Sequence, residues 1–193
     1  MTAEARLRMA ECFSSLAEEL RGESDRGSVV LAAAWIDEQI TCLIKSFLCT
    51  PLSGQERLLK IGGPVGDFGA KIELAYRLGL IRKETHRSLE LFRRLRNDFA
   101  HLSSPLTFQT PAVKDRVLEI FKLNEQMLEA IWDTVREVDS ASSFLGDVGP
   151  GESKIEALWR TLGVRYVFDL SAATTASGLL LAVSQVEQLQ VLE

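Results

Sequence analysis

The chain is 193 residues long, with 46% apolar, 25% charged and 7% aromatic side chains, the balance of one compact domain with a short appendage and not of two full domains. Its 22 basic against 27 acidic side chains give a formal charge of −5, which argues against a domain whose main task is gripping a phosphate backbone. At this length about 70% of the unfolded surface can be buried, so the core needs neither a disulfide nor a metal.

The three cysteines, Cys12, Cys42 and Cys49, are odd in number and lack CxxC spacing, and His86 and His101 are the only histidines. No metal site and no cofactor are expected. Cys42 and Cys49 lie about 10.5 Å apart along one expected helix, too far for a disulfide, so reduced thiols are expected. The opening MTAEARLRMAECF scatters charges where a signal peptide has an unbroken apolar stretch. The longest candidate for a membrane segment, 178–183, falls far short of the roughly 20 residues that cross a bilayer. A cytoplasmic protein is expected.

In chain order, residues 3–21 form a first amphipathic helix with Cys12, Phe13, Leu16 and Leu20 near helical spacing, closed at Arg21-Gly22. Ser24 or Asp25 then caps a second, from about Arg26 to Leu48. Its Val29, Ala33, Ile36, Ile40, Leu43, Ile44 and Phe47 make the clearest core stripe in the chain. The segment 55–61, between Gly54 and Gly62-Gly63-Pro64, reads as one or two helical turns. A third helix starts after Asp67 and stops at Gly79, with Leu80 and Ile81 covering its last turn. The fourth runs from about Lys83 to Ala100. Thr110 caps a fifth, with Pro111 at its first position, reaching about Val138.

Residues 139–153 are rich in Ser, Gly, Asp and Pro and read as a linker. Beyond it, 153–162 is helical, 164–170 reads as strand or helix, and 172–192 has weak helical periodicity. The expected organisation is a helical domain at 1–138, a linker at 139–153 and a C-terminal extension at 154–193. The fold class is all-α, a single helical bundle, since nothing before residue 140 alternates with period two.

The fourth helix carries the unusual residues. At 100° per residue Leu89, Leu91, Phe92, Leu95, Phe99 and Ala100 share a broad apolar arc, and Arg96 falls inside it between Leu89 and Phe92. An arginine so placed needs a carboxylate, a carbonyl or a ligand. One reading is a structural ion pair, with Asp37 at the edge of the second helix's stripe as its partner. The other is that the guanidinium lines a cleft. Asn97 and His101, four residues apart, share a face if the helix persists; His101 reads equally as a helix-end cap. Arg96 and His101 are about 140° apart on a straight helix, so one ligand meets both only if the helix unwinds or two subunits contribute.

From Arg77 to His101 seven basic side chains face three acidic ones, a local charge of +4 that leaves −9 for the remainder. Gly62-Gly63-Pro64-Val65-Gly66 lacks the Lys-Ser/Thr ending of a phosphate loop. GxSxG and HExxH are absent too. Glu23-Ser24-Asp25-Arg26-Gly27 reads as a helix cap or as an anion pocket at a helix N-terminus.

Together ESDRG at 23–27, the apolar helix with Asp37-Glu38, GPVGDFGAKIELAYRLGLI at 63–81 and LRNDFAHL at 95–102, with Phe108 soon after, resemble the mannitol operon repressor family of small helical bacterial regulators. The resemblance covers about residues 20–135. The family's usual Ser before the Ala-Lys/Arg-Ile run is Gly69 here, and the tail after Ser140 finds no counterpart. It implies an all-helical repressor of sugar-alcohol operon expression without a DNA-reading element; no helix-turn-helix with a basic recognition helix is evident either. The expected mode is contact with another regulatory protein by a homodimer, without sequence-specific DNA binding and without a membrane. Arg96, Asn97 and His101 would form a polar surface or pocket oriented by Asp25, Arg26 and Asp37.

The stretch Arg96-Asn-Asp-Phe-Ala-His101 also looks like the R-x4-6-H motif of the HEPN superfamily, which includes metal-independent ribonucleases. That resemblance implies an alternative in which Arg96 stabilises phosphate charge and His101 moves a proton.

Overall fold

The computed structural model describes residues 3–100, 106–126, 128 and 149–191. Six helices make up the described bundle, and it contains no strand: α1 (Ala3–Arg21), α2 (Asp25–Phe47), α3 (Phe68–Arg77), α4 (Lys83–Ala100), α5 (Pro111–Leu123) and α6 (Lys154–Val183). The all-α expectation holds.

Local chemistry sets most boundaries. Ser24 is the N-cap of α2, its hydroxyl accepting from the Gly27 N–H at 3.0 Å, which frees Asp25 for other work. α3 closes through Gly79 at φ 72°, where the Leu80 N–H reaches back to the Ala75 carbonyl at 2.9 Å. Ser153 and Glu156 form a reciprocal capping box at the start of α6.

Three expectations fail locally. Residues 55–61 are not helical: the Glu56 carboxylate takes the Leu58 and Leu59 N–H groups that a helix would use otherwise. Thr110 precedes α5 but its hydroxyl faces backward and accepts from the Thr107 N–H. α5 does not run unbroken toward residue 138, because Asn124 ends it with its amide on the Ile120 carbonyl at 2.8 Å; residues 129–138 lie outside the described set.

The C-terminal segment is more than an appendage. α6 packs most extensively on α1 and α2, and also on α5. Its Ala157, Val167, Phe168, Ala172, Ala173, Ala176 and Leu179 belong to the same buried cluster as Leu16 and Leu20 of α1 and Ile36, Ile40 and Leu43 of α2. The run of small residues from Ser171 to Ser177 is buried throughout, letting neighbouring backbones come close without large side chains between them. That composition blurs the apolar stripe, so sequence periodicity there is weak. Of the expected linker, 139–148 lies outside the described residues. After α6, the Leu189 N–H donates to the Phe47 carbonyl at 2.8 Å, tying the tail to the end of α2.

Two stretches, Asp25–Phe47 and Trp159–Val183, are long and apolar enough to cross a membrane by length and composition, which a search for uninterrupted apolar runs does not detect. Both lie in the bundle core, 44% and 56% buried, the expected character of a helix packed on several sides in a globular domain. Cys12, Cys42 and Cys49 are free thiols.

Candidate functional site

α2, the N-terminal end of α3 and the last turns of α4 diverge to leave a cleft of about 520 Å³. Val30, Ala33, Ala34 and Asp37 of α2 line one side, residues Gly66 to Gly69 another, and Arg93, Arg96 and Asn97 of α4 the third. Arg96 decides between its two readings here. It occupies an inward position on α4, yet its side chain is exposed, because the neighbouring helices separate at that level. Its Nη1 donates to Asn97 Oδ1 at 3.1 Å, and it has no ion pair with a described residue. The expected Arg96–Asp37 pair is not formed.

Asp37 instead binds Lys71 of α3, whose Nζ lies 2.9 Å from both carboxylate oxygens. The Lys71 side chain is only 6% exposed, so its ammonium needs that carboxylate. Arg93 is held by Glu90 through two hydrogen bonds, Nε to Oε1 at 3.0 Å and Nη2 to Oε2 at 2.7 Å. That hydrogen-bonded guanidinium holds the Glu90 carboxyl below the usual carboxylate range. The Arg93 stem crosses Gly69, where a Cβ would come within 3.2 Å of its Cδ. The glycine at this position therefore makes room for the arginine.

The glycines just before α3 serve packing. A Cβ on Gly63 or Gly66 would meet backbone carbonyl oxygens at 2.5 and 2.3 Å. α3 itself begins without a side-chain cap: Asp67 is the N-cap residue and its carboxylate makes no capping bond, leaving first-turn N–H groups open beside the cleft.

Asp25 and Arg26 lie elsewhere in the molecule's wiring. Asp25 Oδ2 accepts from the Phe108 N–H at 3.0 Å and its Oδ1 meets Arg165 Nη1 at 3.2 Å. Arg26 donates through Nε to the Phe99 carbonyl at 2.6 Å, at the end of α4. Asp37, Arg96 and Asn97 line the cleft, whereas the bonds described for Asp25 join it to a hub on α6 and that of Arg26 runs to the end of α4. His101 lies outside the described residues.

The hub centres on Arg165 and Asp169 of α6, which the sequence reading overlooked. Arg165 bonds Asp169, Asp25 and the carbonyls of Leu20 and Glu23, and lies over the Phe108 ring at 5.4 Å. Ser28 donates to Asp169 Oδ1 at 2.6 Å. Burial pushes the Asp169 carboxyl up against the opposing pull of Ser28 and Arg165. The available signal was an arginine and an aspartate four residues apart inside an otherwise apolar helix.

Comparison with known proteins places this architecture. A family model described as mannitol repressor matches residues 26–186. The chain belongs to the mannitol repressor family. The family match runs through the whole of α6, which corrects the expectation that the tail after Ser140 has no counterpart. Among solved structures, the X-ray structure of the MtlR–HPr complex from Escherichia coli is similar at a TM-score of 0.55 and 18% identity, covering 90% of this chain and 99% of that one; that likeness concerns the fold. No curated protein matches.

Proposed function

We propose that the protein represses a sugar-alcohol operon by contact with another protein, without reading base pairs itself. Membership of the mannitol repressor family over residues 26–186 carries the reading. The net charge of −5 supports contact with protein over contact with a nucleic-acid backbone. The similar Escherichia coli chain was solved as an MtlR–HPr complex, and HPr is the partner we assign to this chain as well, in the cytoplasm.

Self-association belongs to the same reading. Leu52 and Ile61, almost fully exposed on the loop between α2 and α3, are the apolar side chains we assign to a homodimer contact. The ribonuclease reading requires Arg96 and His101 on one ligand; no observed contact of Arg96 favours it, and the family is one of repressors.

Calorimetry of the purified chain with unphosphorylated HPr, footprinting on its operator, and light scattering for mass test these assignments together. Saturable binding to HPr, no sequence-selective protection at moderate salt and a dimeric mass are expected. A selective footprint by the chain alone would overturn the protein-contact reading.

A further inference from the structure

Of the four charged side chains lining the α2–α3–α4 cleft, Asp37, Asp67, Arg93 and Arg96, two are paired with residues outside the lining. Asp37 is matched by Lys71, and Arg93 by Glu90. Arg96 is left with a neutral carboxamide as its hydrogen-bond partner. It also projects from the inward arc of α4 into a hollow, where an arginine on an outer face would have extended into bulk water. The open first-turn amides of α3 border the same hollow and add positive potential on that side. Asp67, exposed at the rim, is the cleft-lining acid with no cation partner among the described residues.

Groups able to hold hydroxyls lie on both the α2 and the α4 sides of the cleft. Asp37 remains about one third exposed beside Lys71 and has lone pairs left to accept further hydrogen bonds. Asn97 accepts from Arg96 through Oδ1, which leaves its amide N–H groups as donors. Val30, Ala33 and Ala34 supply a short apolar floor. A volume of about 520 Å³ is in the range of pockets that hold small metabolites, and far too small for a folded partner.

We infer that this cleft binds a small phosphorylated polyol, with its phosphoryl group on Arg96 and the open end of α3, and its hydroxyls on Asp37 and Asn97. The ligand would be the effector of the repressor, a role that rests on the function proposed above; the binding event does not depend on that function. Arg96 supplies the charge-assisted hydrogen bonds and Asp67 works against them, so substitutions at the two positions move affinity in opposite directions.

The test is isothermal titration of the full chain with mannitol 1-phosphate, mannitol and inorganic phosphate in separate arms. Mannitol 1-phosphate binds most tightly if the inference holds, because the two other probes each satisfy one half of the cleft. Arg96→Gln weakens it about tenfold or more, and Asp67→Asn strengthens it several-fold; circular dichroism confirms that both variants fold. Equal affinity of wild type and Arg96→Gln overturns the site. Equal affinity for inorganic phosphate overturns the polyol part, and no saturable heat with any of the three probes overturns the small-molecule part. HPr binding by the unliganded chain is scored separately, so a lost effector site and a lost partner are distinguishable.

Discussion

Arg165 and Asp169 carry the largest single-residue consequences outside the cleft. The Arg165 guanidinium joins α6 to the C-terminal end of α1 and to the start of α2, and its exposure is only 27%. Replacing it with Met leaves the Asp169 and Asp25 carboxylates without their shared cation. We expect a loss of about 3 kcal/mol in urea unfolding. Asp169 adds a pH signature. Its carboxyl is raised above the ordinary value of 3.8, first by burial. The unfolded chain therefore gives up this proton before the folded one does. The associated stability is fully present below the ordinary value and is lost as pH rises through the raised one. Asp169→Asn removes that decline, and comparing unfolding free energy of the variant and wild type across mildly acidic pH reads it directly. Unchanged pH dependence would show that burial costs this carboxylate nothing. At this scale the sequence is only partly legible. Arg96 is detectable because it breaks an apolar arc, but whether the arc faces packed atoms or a gap depends on where three helices separate. Asp25 and Arg26 are visible as polar residues near a cap; their partners Phe108, Arg165 and Phe99 lie far along the chain, where spacing carries no information.

At the scale of elements, α1, α3 and α4 were readable nearly to the residue, since each has an apolar face and glycines follow the first two at Gly22 and Gly79. α6 was not. Gly163 interrupts it with φ 73° and ψ 166°, a backbone region essentially restricted to glycine, and the first part of α6 is set off from the second there. Gly163→Ala meets no steric neighbour within 4 Å, so its cost isolates backbone strain. A loss of about 1–3 kcal/mol in chemical denaturation is expected; a neutral outcome would mean that the kink relaxes into continuous helix. The second part of α6 escaped pattern reading for another reason. When a helix is covered from several directions, its polar and apolar faces no longer alternate, and Ser, Thr and Ala fill positions chosen for size.

On the scale of the whole molecule, the last helix packs into the cluster built by the first two. Val167, Phe168, Ala172 and Ala176 are 0% exposed within the cluster they share with α1 and α2. A chain truncated before residue 154 uncovers Leu16, Leu20 and Ile36, and we expect it to lack a cooperative thermal transition, as monitored by circular dichroism at 222 nm. A sharp transition in the truncated chain would establish that 1–138 folds alone, as composition suggests. The fold class was legible because helical periodicity is local. The place of α6 was not, because burial against distant helices leaves no local trace. This order of assembly also bears on synthesis. The described helices leave the ribosome in sequence, and those that form the bundle's first half emerge with part of their oily faces bare. Until the closing helix is translated, the nascent polypeptide lacks the cover that this helix gives α1 and α2, so the interval before it appears is when a holding chaperone would matter most.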